Sequence, residues 1–250
     1  MNEYSNKSVL ITGCTGFFGS NMFNRLNYHA RIFRADHNKL NTYLEYYKYD
    51  YIFHFAPTPI EPVIRCAEKS NAKILYASSG GVYGGIEKKV NENCPVNPKT
   101  DYAKEKVRSE RILQDSELDY CIVRLFAFCG QGMKNTFAIT NFIEDVKNDR
   151  PINVLYGKSV RTYMYIDDAI DWLLKLMLCD NGIYNVGSEK EISIIELAKK
   201  ISKYGNHGVV ESGKPFVDPA PYYVPDCSKA HDLGLEQHFS LNYGIERMME

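Results

Sequence analysis

The chain predicts an α/β fold: a doubly wound parallel sheet with helices on both faces, joined to a smaller carboxy-terminal α/β lobe. Two observations predict it. Short apolar runs alternate with helical patterns through the first half, as strand-helix units do. Those runs are also almost continuously hydrophobic, as strands covered on both faces must be. Strands are expected at 8–11, 30–34, 51–55, 73–77 and 120–125, separated by helices at 17–28, 39–47, 62–70 and 102–115. After Phe126 the rhythm changes. A helix at 137–147 precedes a strand near 153–155 and an extended segment at 161–166. Asp167 then reads as the N-cap of a helix over 168–178. A strand is expected at 183–186, and a helix at 193–204 opened by a capping box of Ser193 and Glu196. The Gly-, Pro- and Ser-rich stretch 211–225 reads as a long loop before a last helix at 241–249.

Bulk properties narrow the function classes. A chain of 250 residues suits one sizeable domain, or one with a small appended lobe. The formal net charge of −1 leaves no broad electrostatic footprint for nucleic acid or an anionic membrane. No apolar run approaches the roughly 20 residues of a membrane span, and the amino terminus runs directly into a strand without a signal peptide. A cytoplasmic protein is expected. The seven cysteines show no ligand pairs, so reduced thiols and no metal site are the expectation.

Chemistry concentrates at three places. The first strand runs into Thr12-Gly13-Cys14-Thr15-Gly16-Phe17-Phe18-Gly19 and then an amphipathic helix. Gly13 permits a tight turn, Gly16 lets the backbone approach a phosphate, and Gly19 lets the helix sit close to the sheet. A pyrophosphate then meets the positive end of that helix. This is a dinucleotide turn, for NAD or NADP. The second strand leaves the choice open: Asp36 could accept from a ribose 2'-hydroxyl, and Arg34 could pair with a 2'-phosphate. Downstream, Tyr102 and Lys106 lie one helical turn apart and share a face. An unperturbed phenol is a poor base at neutral pH. Bringing it to about pH 7 needs roughly 4 kcal/mol, which a lysine ammonium and an oxidised nicotinamide together can supply. Ser79, at the end of the fourth strand, is placed to hydrogen-bond a substrate oxygen. His54, inside an apolar strand, reads as a satisfied core histidine.

Taken in order, these motifs resemble the extended short-chain dehydrogenase/reductase family, in particular its nucleotide-sugar epimerases, reductases and dehydratases. The resemblance covers nearly the whole chain. It includes the glycine turn, Phe53-His54-Phe55-Ala56, Ser78-Ser79-x-x-Val82-Tyr83-Gly84, Tyr102-x-x-x-Lys106 and Val123-Arg124-Leu125-Phe126. It continues through Arg161-x-Tyr163-x-Tyr165-Ile166-Asp167-Asp168 and Tyr184-Asn185-Val186-Gly187. It implies a Rossmann-type NAD(P)-binding domain over 1–126, to which later segments return, and a lobe over 127–250 that mainly binds a nucleotide-activated sugar. Ser79, Tyr102 and Lys106 take the catalytic roles. Phe17 and Phe18 lie by the cofactor pyrophosphate, and Phe55, Ala56 and Pro57 near its nicotinamide half. Ser79, Tyr83 and Arg161 face the substrate, Arg161 as a bidentate fork for the sugar-nucleotide diphosphate. A homodimer is the assembly such proteins imply.

Departures from the pattern refine the expectation. Gly80 and Gly81 stand where the resembled 4,6-dehydratases carry an Asp-Glu pair, and glycine supplies neither acid nor base. The connection from Asp36 to Tyr51 omits a strand and the stretch from Pro57 to Lys73 is short, which removes part of the usual helical dimer contact. Phe216 falls near the position where the family is expected to carry a second diphosphate arginine, and Lys214 is the cation that could substitute. The expected activity is hydride transfer at C4 of a nucleotide-linked hexose, as an epimerase or, alternatively, a 4-keto-sugar reductase, with the epimerase favoured. A catalytically silent nucleotide-binding module is the competing class.

Overall fold

The computed structural model describes residues 2–35, 40–85, 87–134, 136–211 and 222–250. Asp36, Lys214, Phe216 and the middle of the expected loop lie outside the described residues. The chain runs β1 (Ser8–Thr12), α1 (Phe17–Leu26), β2 (Arg31–Ala35), α2 (Leu40–Tyr46), β3 (Tyr51–His54), α3 (Glu61–Glu68) and β4 (Lys73–Ser79). A 3-10 turn over Gly80–Tyr83, α4 (Asp101–Gln114) and β5 (Tyr120–Leu125) follow. Next come β6 (Phe128–Cys129), α5 (Ala138–Lys147), β7 (Ile152–Val154), β8 (Val160–Thr162), β9 (Met164–Tyr165), α6 (Ile166–Met177) and β10 (Gly182–Val186). The last elements are β11 (Glu191–Ser193), α7 (Ile194–Ser202), β12 (Val209–Glu211), α8 (Ser228–His231) and α9 (Leu241–Met249).

Two compact units divide the chain. The first comprises Met1–Gly84, Pro95–Leu125 and Ala169–Val186; the second comprises Gly85–Cys94, Phe126–Asp168 and Gly187–Glu250. In the first, six parallel strands form one sheet in the order β10-β5-β4-β3-β1-β2. Val9, Leu10 and Ile11 of β1 are all fully buried, so both faces of the sheet are covered. Leu10, Ile52, Ile74 and Ile122 from four successive strands pack with Val63 and Ile64 of α3 and Leu113 of α4. The sheet reverses direction of growth between β1 and β3, a switch point at whose carboxyl edge ligands of such sheets bind. β2 forms an edge of the described sheet.

The second unit uses short strand pairs: β8 with β11 antiparallel, β7 with β12 and β6 with β9 parallel. Its α7 opens with the capping box expected at Ser193 and Glu196 and buries Leu197, Ala198 and Ile201. The cap expected at Asp167 is a correction. β9 leads straight into a helix that starts at Ile166, which puts Asp167 in the first turn, where a carboxylate still meets the positive helix end. Asp168 is 1% exposed and accepts from the backbone N–H groups of His238 (3.0 Å) and Phe239 (2.9 Å), which ties down the chain before α9. Among the described residues no helix is long and apolar enough to cross a membrane, and no cluster of His, Cys, Asp and Glu could hold a metal ion.

Candidate active site at the carboxyl ends of β1 and β4

At the end of β1 the chain turns through Gly13 at φ +66°, a left-handed backbone that favours glycine. A Cβ at Gly13 would stand 2.8 Å from the backbone nitrogen of Ala56, and one at Gly19 only 2.2 Å from the carbonyl oxygen of Gly13. The turn, α1 and the chain after β3 are therefore in backbone contact. Gly16 N–H donates to Gly13 O at 2.9 Å and Gly16 then caps α1, whose first turn carries no acidic residue and no side-chain cap. Such a helix start suits an anion. Phe18 stacks on Phe55 with ring centroids 5.8 Å apart, and Phe17 meets Phe18 edge-on. Ala56 is buried and Pro57 exposed. The residues present thus fit a dinucleotide pyrophosphate: a turn without side chains, a helix start open to negative charge, and aromatic walls. Arg34, near the carboxyl end of β2 and in register with Ile11, has its guanidinium 4.2 Å over the Phe23 ring of α1.

The catalytic residues expected from the sequence converge on the end of β4. Thr100 caps α4 by accepting from Ala103 N–H, which fixes where the helix face begins. Tyr102, Lys106 and Glu110 then follow one another at four-residue steps on one stripe. Their exposure falls along it, from 58% through 8% to 3%. Ser79 accepts from Gly81 N–H at 3.1 Å, and its side chain lies close enough to Tyr102 to influence the phenol. Lys106 Nζ donates to Ala77 O at 2.7 Å and lies 4.7 Å over the Tyr76 ring and 5.6 Å over the Tyr102 ring.

Burial acts on both groups. Partial desolvation moves the Tyr102 phenol up from its usual range, opposed by Ser79. The Lys106 ammonium faces the Ala77 carbonyl and the Tyr76 and Tyr102 rings. Burial lowers Lys106 itself to about 8, with Glu110 and then Glu105 opposing. It remains largely protonated at neutral pH. Beneath it, His54 is fully buried; its Nε2 donates to Thr58 O at 3.3 Å, so Nδ1 accepts from Thr12 Oγ1 at 2.7 Å. Burial pushes that imidazole down to about 4, and it stays neutral, as a satisfied core histidine should.

Tyr83 is a second correction. Expected to face substrate, it is 4% exposed, and its hydroxyl donates to Asn185 Oδ1 at 2.8 Å while accepting from Arg124 Nη1 at 3.0 Å. Interior polar bonding occupies the group. Gly80 is buried and Gly81 half-buried in the 3-10 turn, and a Cβ at Gly81 would meet Ser79 Oγ at 3.3 Å. Arg161 belongs to the second unit. There it is half-buried on β8, donates from Nη1 to Val160 O at 2.8 Å, and lies 5.8 Å over the Tyr223 ring. An open polar cavity in the first unit, lined by Lys7, Asp50, Lys73 and Asp119 among others, sits at the opposite, amino-terminal ends of the strands.

The sequence reading missed Glu110, Arg124 and Asn185, which bond beside this site. The signal was present: Arg124 interrupts an apolar strand, and a buried charge needs a partner. Glu110, one turn beyond Lys106, is the acid in register to supply it.

Comparison with known proteins places this arrangement. The NAD dependent epimerase/dehydratase family matches residues 60–187, just over half of the 250 residues, a span that includes Ser79, Tyr102, Lys106 and Arg161. The chain belongs to that family. A protein of Methanocaldococcus jannaschii named as a UDP-glucose 4-epimerase is 31% identical over 188 residues, covering 71% of this chain and 62% of that one. UDP-glucuronic acid decarboxylase 1 of Arabidopsis thaliana is 27% identical over 199 residues, covering 73% of this chain and 46% of the relative. The chain thus spans about half to three-fifths of the length of these two relatives. In fold, it resembles the solved epimerase Mth375 of Methanothermobacter thermautotrophicus with a TM-score of 0.88 at 22% identity, covering 99% of this chain and 92% of that one. The fold is therefore Rossmann-like, and the family is one of NAD-dependent nucleotide-sugar epimerases, dehydratases and decarboxylases.

Proposed function

We propose that this protein is an NAD-dependent 4-epimerase of a nucleotide-linked hexose, with a UDP-sugar as the first substrate to test. The observation that carries the reading is the joint placement of Ser79 at the end of β4 with Tyr102 and Lys106 on α4, beside a turn that has glycine at both 80 and 81. The named activity of the Methanocaldococcus relative supports it.

NAD, when bound on the Gly13–Gly19 turn, supplies a hydride acceptor beside the sugar. Tyr102 takes the proton from the C4 hydroxyl as the hydride leaves C4, and returns a proton when the hydride is restored to the opposite face of the turned 4-keto sugar. Ser79 hydrogen-bonds the same oxygen as its charge changes. Lys106 holds a positive charge behind the phenol; the second cation the phenol needs arrives with the oxidised cofactor. Arg161 pairs with the diphosphate of the substrate. Gly80 and Gly81 offer no carboxyl group to eliminate water, which separates this reading from a 4,6-dehydratase.

Incubation with NAD and UDP-glucose or UDP-galactose tests the proposal. Interconversion of the two with no net change in NAD absorbance is expected; net consumption of NADPH with a 4-keto sugar, or release of water or carbon dioxide from the sugar, would replace the epimerase reading. Tyr102→Phe is expected to keep NAD affinity while turnover falls by about 100-fold or more. Unchanged turnover removes Tyr102 from the chemistry.

A further inference from the structure

We propose that Glu110 is a positioning residue for this reaction: clamped by Arg124 and Ser78, it holds the Lys106 turn of α4 against the end of β4 that carries Ser79. The inference rests on the catalytic reading of Ser79, Tyr102 and Lys106.

Glu110 and Arg124 form an ion pair, Oε2 to Nη2 at 2.7 Å, with side chains only 3% and 4% exposed. Arg124 Nε donates to Glu110 Oε1 at 3.1 Å, and Ser78 Oγ donates to the same oxygen. Arg124 Nη1 reaches the Tyr83 hydroxyl, which passes the chain of bonds to Asn185. The network therefore joins β4, the 3-10 turn, α4, β5 and β10. It crosses the sheet in register, since Ser78 pairs with Arg124 and Arg124 with Asn185. Ser78 and Tyr83 flank Ser79 and the two glycines, and Glu110 lies one turn below Lys106. Every element that presents a catalytic side chain is bonded to this pair.

Packing alone does not account for it. Apolar residues of the same volume fill a buried site at equal or better stability, whereas an ion pair must offset the desolvation of both charges. The pair does supply a fixed register and a buried negative charge near Lys106. The groups that face Lys106 are Glu105, Glu110 and Tyr102 from α4, Tyr76 from β4 and His54 from β3. Burial keeps Tyr76 and His54 neutral, and Glu105 is exposed and pairs with Arg108. Glu110 is left as the buried anion that favours the ammonium.

The double variant Glu110→Leu/Arg124→Met removes the clamp without stranding a charge. Thermal unfolding and NAD binding first establish that it folds. The Lys106 titration, read from the lysine side-chain NMR signal assigned with Lys106→Arg, is expected to move, since a buried carboxylate and its guanidinium partner leave the site together. Turnover is expected to fall about 10-fold or more at little-changed KM, with the alkaline limb of its pH profile moving together with the Lys106 titration. An unchanged Lys106 titration with unchanged turnover overturns the proposal. Should the double variant not fold, Ser78→Ala carries the test, since it cuts one link and strands no charge: a turnover loss of about threefold or more supports the clamp, and wild-type turnover overturns it. Tyr102→Phe assayed alongside separates the two ideas, because full turnover there refutes the catalytic reading while the Lys106 titration still reports on the clamp.

Discussion

The carboxyl ends of β1 and β4 lie in one sheet with only β3 between them, yet they are built from opposite materials. The β1 end is backbone and rings: a left-handed glycine, a helix start and stacked phenylalanines, with added atoms excluded by main-chain neighbours. The β4 end is charge: a buried lysine on a carbonyl, a buried ion pair, and a phenol open to solvent. A site that grips a ligand by its backbone is sensitive to volume and indifferent to pH. One that moves protons is the reverse.

The largest expected effect breaks the first half of that contrast. Gly19→Ala sets a Cβ 2.2 Å from Gly13 O and 2.7 Å from its carbonyl carbon, both main-chain atoms that cannot rotate away. A loss of about 3 kcal/mol or more of stability is expected in chemical denaturation, with NAD binding lost in calorimetry. Gly85→Ala, whose Cβ meets nothing within 4 Å, should leave both within error.

A comparable effect on pH sharpens the second half. His54 is neutral and fully buried with its imidazole near 4, against 6.5 for the ordinary group. Its folded value is depressed, so its share of stability is present above pH 6.5 and lost as pH falls through about 4. About 3 kcal/mol of the difference between urea unfolding at pH 7.5 and at pH 4 should vanish in His54→Gln. An equal drop in both proteins would assign the acid sensitivity to other groups.

The smallest effect separates function from stability. Lys106 is held near 8 against 10.5 when free, so its charge is a burden on the fold at neutral pH. Replacing it by Met relieves that burden and loses one bond to Ala77 O, for a net gain of about 1 kcal/mol at pH 7 while turnover collapses. The gain should shrink as pH rises from about 8 towards 10.5, where the unfolded lysine also gives up its proton. A variant less stable than wild type at pH 7 would contradict this.

Much of this was legible in sequence because it is periodic. The strands β1 to β5 show as short continuous apolar runs alternating with helical patterns, the glycine turn as steps of three, and the pair Tyr102 and Lys106 as one step of four. Short strands such as β6, β11 and β12, of two or three residues, carry no period and were not seen. Sequence placed Tyr83 toward substrate because its neighbours match a motif; burial, decided by residues more than forty positions away, turned it into the core. Lys106 is a related case. Spacing brings Lys106 to the correct face, but the direction of its ammonium depends on the carbonyl of Ala77.

Because β2 has a strand neighbour on one side only among the described residues, its outer main-chain groups form a ready template for recruiting an extended segment of another molecule. Arg31 and Arg34 stand exposed along it, each laid over a phenylalanine ring. Positive charges on a sheet margin repel copies of themselves, so these two guanidinium groups act as gatekeepers against edge-to-edge aggregation.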